Sequence, residues 1–148
     1  MLNHTEHLEL VEALRSGLLA RELDWIEEPS NISTNWRLRL RAIIPCRSLH
    51  IIVEAYEVDR DSAFPDDDST HVTVAFYDDR DRWLADAGFG ITAYTAALTL
   101  IDNIVSERYV IEINEPTTDV TWLAKIGPHA HRLAWSRLRC YSWRRTFD

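Results

Sequence analysis

At 148 residues the chain has the length of one ordinary domain, enough to bury roughly two thirds of its unfolded surface in a single core, so a second domain is not expected. A hydrophobic content of 46%, with six tryptophans, excludes a disordered chain, and the longest apolar runs are far too short to span a bilayer. The net charge of −8 argues against a nucleic-acid binder, whose affinity for phosphate comes from clustered Lys and Arg.

Leu8, Val11, Leu14, Leu18 and Leu19 recur at helical spacing between Glu9, Glu12, Arg15 and Glu22, so residues 5 to 23 read as an amphipathic helix with Thr5 as its cap. Gly17 weakens its middle by about 1 kcal/mol relative to alanine. Asp24 to Asn35 hold Pro29, Ser30, Asn31 and Ser33 and read as a loop.

The strongest pattern follows. Trp36, Leu38, Leu40 and Ala42 alternate with Arg37, Arg39 and Arg41, which is the period of a half-buried strand with one core face and one wet face. If residues 45 to 48 close a hairpin, Ile44 faces Leu49, Leu40 pairs with Val53, Leu38 with Ala55 and Arg39 with Glu54. A slip of one residue would turn the arginines into the core, so the pattern fixes its own register.

Residues 59 to 69 read as an acidic exposed loop, residues 70 to 77 as a third strand, Asp78 to Asp81 as a polar turn and Arg82 to Asp86 as a short fourth strand. Gly88 and Gly90 then allow a change of direction. Ile91, Tyr94, Leu98, Ile101 and Val105 form a second helical stripe, capped by Thr92 and ending near Arg108. Tyr109 to Asn114 is the next strand. Asp119 to Ile126 reads as a helix stopped by Gly127-Pro128, and residues 128 to 145 read as helix in preference to strand, although Arg137 to Trp143 also alternates. The fold class expected is α+β: a mainly antiparallel sheet of four to five strands with an N-terminal helix, a central helix and C-terminal helical segments packed on it. In this order of elements the chain resembles small bacterial secretion chaperones, a likeness of topology that no motif carries.

The start of the sequence lacks the basic and apolar segments of a secretory signal, and Cys46 and Cys140 are too few and too far apart for a disulfide framework or a CxxC zinc cluster, so a cytoplasmic protein with free thiols is expected. Candidate sites lie in two charged regions. Asp59, Asp61, Asp66, Asp67, Asp68, Asp78 and Asp79 belong to an acidic block that reads most simply as solvated loop and otherwise as a surface for a basic partner. The Asp66 to Asp68 run lacks the central glycine and closing glutamate of a calcium loop. Arg137, Arg139 and Arg144, interleaved with Trp135, Tyr141 and Trp143, form its basic counterpart. There the choice lies between rings packed on the core, a protein-binding or self-association surface rich in Arg and aromatics, and stacking on single-stranded nucleic acid, which the net charge disfavours.

No Gly-x-Ser-x-Gly elbow, phosphate loop or reactive-cysteine context is present, and no pattern calls for a cofactor. The expected function is therefore that of a non-enzymatic cytosolic protein that binds another protein, as antitoxins, immunity proteins, phage inhibitors of host defence and small chaperones do. The two oppositely charged regions also suggest a homodimer. On this reading, charge reversal across Asp66 to Asp68 weakens partner capture. The alternative is a small metal-assisted hydrolase using acidic strand ends or His129 and His131, which reach one ion together only if their segment is extended.

Overall fold

The computed structural model describes residues 4–30, 36–42, 49–57, 70–114, 120–125, 138–141 and 143. Helix α1 spans His4–Leu19 and buries His7, Val11, Leu14 and Leu18. Leu8 and Leu19, expected to share that stripe, are 44% and 51% exposed. They lie eleven residues apart, three turns, and so form a single row about 100° around the helix from the buried one. The chain leaves the helix through Arg21, whose Nη1 donates to the Gly17 carbonyl and whose Nε and Nη2 donate to Oδ1 and Oδ2 of Asp102 at 2.6 and 2.8 Å. A cation at the carboxyl end of α1 thus also ties that end to the second helix.

Five strands follow one another in an antiparallel meander, β1 (Trp25–Glu27), β2 (Trp36–Ala42), β3 (His50–Glu57), β4 (Thr70–Tyr77) and β5 (Trp83–Gly90), and their order in the sheet is their order in the chain. β1, in a segment expected to be loop, is a three-residue edge strand. The β2–β3 register pairs Leu38 with Ala55, Arg39 with Glu54 and Leu40 with Val53, as the alternation requires. A bulge at Arg37 then brings Trp36 opposite Tyr56. Ile44 and the hairpin turn lie outside the described residues. β5 runs further than expected, because Gly88 continues the strand opposite Thr73 and does not turn it.

The β4–β5 turn is organised by Asp78, which is 1% exposed. Its backbone N–H donates to the Arg82 carbonyl, and its carbonyl accepts from Asp81, which is left-handed at φ 58°. A type I turn closed by a left-handed residue is a standard three-residue hairpin, and Asp tolerates that conformation better than most side chains.

After a 3₁₀ turn at Ile91–Ala93, helix α2 (Tyr94–Val105) buries Ala97, Leu98, Ile101 and Ile104. Thr92 sits inside the 3₁₀ turn, so it is not the helix cap; the residue before α2 is Ala93. The helix stops short of Arg108 because Glu107 is left-handed, with its N–H donating to the Ile104 carbonyl. α1 and α2 touch at Gly17, where an added Cβ would lie 2.6 Å from Cδ1 of Leu98. The glycine that weakens α1 in isolation is what allows the helices to approach. Gly17→Leu should therefore destabilise the protein by about 1–3 kcal/mol in denaturant titration, despite leucine's better helix propensity.

The C-terminal region departs from expectation. Residues 120–125 form strand β7 (Val120–Lys125), not helix, and Leu138–Tyr141 form strand β8, so the helical reading of 128 to 145 fails there. β6 (Tyr109–Asn114) runs between them, antiparallel to both. A strand with Val110, Ile111 and Ile113 has N–H and C=O groups along both edges, and these need partners. Val120-Thr121-Trp122 suits that role, and Gly127-Pro128 can follow a strand as readily as a helix.

Leu38, Leu40, Ile51, Val53, Val74 and Phe76 on one face of the meander pack with α1 and α2, and Ile111 and Trp143 join the same buried cluster. The architecture is α+β, with both helices on one face of the five-stranded sheet.

Candidate functional site: the outer face of the meander

Because side chains alternate along each strand, the register that buries one face also fixes what the face turned away from the helices carries. One row across it reads Ile26, Arg41, Ile52, Ala75 and Asp86. The next reads Arg39, Glu54, Thr73 and Gly88. On the far side of that lies Trp36 with Tyr56, His71 and Gly90, and on the near side His50 with Tyr77 and Trp83.

Two arginines dominate. The Arg39 guanidinium stands 5.1 Å from the centre of the Trp36 ring, a cation–π distance, with its Nε 3.4 Å from Glu28 Oε2 and 3.6 Å from Glu54 Oε1. Arg41 Nη2 is 3.4 Å from Glu28 Oε1. These separations exceed the roughly 2.8 Å of a charge-assisted hydrogen bond, and Nε of each arginine, itself buried from solvent, has no hydrogen-bond partner. The two cations are electrostatically attended by carboxylates at 3.4 to 3.6 Å. They line a depression of about 220 Å³ together with His50, Ile52, Tyr77 and Asp81. His50 Nδ1 lies 3.3 Å from Asp81 Oδ1.

The aromatic groups are arranged around this centre. Tyr56 stacks on His71 with centroids 6.2 Å apart, and the Thr73 hydroxyl lies 3.5 Å from that of Tyr56. Trp83 is 51% exposed and donates its Nε1–H to Asp86 Oδ2 at 3.3 Å. Ile26, at the opposite edge of the sheet, is 54% exposed. Gly88 leaves open space beside Thr73, since a Cβ added there meets nothing within 4 Å.

Among the described residues two groups titrate away from their ordinary values, and both serve the fold. Burial pushes the Asp78 carboxyl up, but hydrogen bonds from the N–H groups of Arg82 and Arg80 and from the Arg82 guanidinium outweigh it and hold the group low. Arg15, on the helix side, is held above its usual value by its hydrogen bond to Glu27 and by the charge of that residue, a pair that links α1 to β1. Among the described residues, no three His, Cys, Asp or Glu side chains gather as a metal ion would require.

Of the residues singled out in the sequence, Asp59, Asp61, Asp66, Asp67, Asp68, Arg137 and Arg144 lie outside the described residues, as do His129 and His131. Arg139 is in β8 opposite Ile113. Asp79 is exposed in the β4–β5 turn. Two others are not surface groups: Asp78 is buried in the turn it organises, and Trp143 is 3% exposed within the core. Sequence reasoning identified the wet face of β2 and β3 but did not assemble Arg39, Arg41, Tyr77 and Trp83 into a site. Tyr77 and Trp83 come together only through the β4–β5 register.

The chain matches no family model, no curated protein and no solved structure. Among the described residues, no helix is long and apolar enough to cross a membrane.

Proposed function

We propose that the chain is a non-enzymatic cytosolic protein that acts by binding another protein, in the manner of antitoxins, immunity proteins, phage inhibitors of host defence and small chaperones. On this reading the contact surface is the outer face of the meander, with the acidic segment from Asp59 to Asp68 and the Arg/aromatic segment from Arg137 to Arg144 as further contact regions.

The observation that carries the proposal is the make-up of that face. Trp, Tyr and Arg are the residue types enriched at binding hot spots, and here Trp83, Tyr77, Arg39 and Arg41 stand on one rigid sheet around a shallow depression. A flat, strand-borne array of half-exposed rings and cations suits a macromolecular surface better than a small substrate, for which a concave and mostly apolar pocket is usual. The charges of both signs would set orientation and on-rate.

The proposal is tested by affinity capture from the native host with the wild-type chain and with Trp83→Ala/Arg41→Glu. A defined companion retained by the wild type and reduced at least about tenfold by the variant is expected, since hot-spot truncation typically costs 2 kcal/mol or more. Equal capture by both would remove the outer face from the account.

A further inference from the structure

We infer that the outer face of the meander is closed by a second copy of this chain, packed face to face about a two-fold axis that runs parallel to the strands between β3 and β4. The inference rests on the reading of that face as a contact surface and names its occupant.

Charge selects both the partner and the axis. In the row Arg41, Ile52, Ala75, Asp86 the cation stands on β2, the acid on β5, and the two central positions are apolar. Rotation about an axis along the strands lays β2 over β5 of the second copy and β3 over β4. Arg41 then meets Asp86 of the second copy twice in the dimer, and Ile52 lies over Ala75; these two are only 6% and 8% exposed, so the charged groups around them carry the contact. In the neighbouring row the same rotation lays Arg39 over Gly88 of the second copy, the position with open space where a side chain would be. His50 faces Tyr77, and Tyr56 faces His71. Trp83 follows Asp86 on the same face of β5 and comes beside Arg41 of the second copy.

A two-fold axis across the strands does the opposite. It lays β2 on β2, facing Arg39 and Arg41 with their own equivalents, and like charges at an interface are strongly unfavourable. Only the first axis is self-complementary, as an isologous contact must be.

The donors and acceptors are in place for it. Among the described residues, the one ion pair of Arg41 is made by Nη2 at 3.4 Å, longer than a charge-assisted hydrogen bond, and Asp86 accepts from Trp83 through Oδ2. Sheets packed in this way lie about 10 Å apart with strands within about 30° of each other. The four strands that the axis superposes, β2 to β5, spaced about 4.8 Å and about seven residues long, give a face of about 19 by 23 Å. Two such faces bury about 900 Å², in the range of weak and transient contacts, so the dimer is concentration-dependent and weakened by salt.

Sedimentation velocity of the full chain over a concentration series, at low and high salt, provides the test. The wild type is expected to be dimeric at low salt and to dissociate more readily at high salt. Arg41→Asp and Asp86→Arg should each weaken the dimer by about tenfold or more, and the double exchange Arg41→Asp/Asp86→Arg should restore it. Gly88→Arg, whose added Cβ meets nothing within 4 Å among the described residues, should abolish the dimer while leaving the thermal melt and circular dichroism of the monomer unchanged. A wild type that stays monomeric at every concentration overturns the inference, as does a dimer indifferent to Gly88→Arg and to the charge exchange. A monomer that still loses its captured companion on Trp83→Ala/Arg41→Glu overturns the dimer alone. A monomer whose capture is also indifferent to that variant overturns the reading of the face as well.

Discussion

Phe76→Ala should destabilise the protein by about 3–5 kcal/mol, read as a fall in the urea midpoint at unchanged slope. Phe76 is 1% exposed near the C-terminal end of β4, and the inner-face row that contains it reads Ala42, Ile51, Phe76, Ala85. One large ring therefore fills space that the alanines at positions 42 and 85 leave open, and neither methyl can extend to refill it. Removing the ring costs its transfer free energy plus that of a cavity flanked by a rigid sheet on one side and by packed helices on the other. A loss under about 1 kcal/mol would mean that the core collapses around the gap, and would contradict the packing described.

Asp78→Ala should cost about 2–3 kcal/mol, because the change strands two backbone N–H groups, of Arg80 and Arg82, that the carboxylate now accepts at 2.9 and 2.8 Å. Asp78→Asn keeps an acceptor at that position and should cost less. The pair also has a defined pH signature. The carboxyl is held low in the fold, so its stabilising contribution is complete above the unfolded value near 3.9 and is lost as pH falls through the lower folded value. Thermal melts of wild type and Asp78→Asn should differ by a constant amount near neutrality and converge in acid. A gap that widened with acidity would reverse the sign and contradict the assignment.

How much of this could be read from the sequence depends on how local each cause is. The β2–β3 register was legible because three arginines alternate with core residues and a slip would bury charge. α1 was legible as an element but not in its rotation, since Leu8 and Leu19 are as apolar as Leu14 and Leu18 and only the packing against α2 at Gly17 shows which row is buried. The strand identity of 120–125 was hidden because six residues of mixed propensity carry too little periodicity to decide, and the demand for partners on both edges of β6 is a tertiary fact.

Asp78 illustrates the same limit at a single residue. Its sequence neighbours Asp79, Arg80 and Asp81 made it look like one more member of an acidic surface, whereas the turn places its side chain inward over its own backbone donors. Trp143 likewise stood among arginines in the sequence and lies in the core. The candidate site was half legible: Arg39 and Arg41 were assigned to a wet face from alternation alone. Tyr77, Trp83 and Asp86 needed the β4–β5 hairpin, with its bulge after Phe76, to reach the same surface.

The most direct measurement of the central claim is site-specific photo-crosslinking in the native host, with the reactive side chain placed at Trp83 on the outer face and, separately, at Thr99, an exposed position of α2. A discrete protein adduct, to a second copy or to a companion, is expected from position 83 and none from position 99. No adduct from position 83, or equal adducts from both, would show that this face is not where the protein makes its contacts.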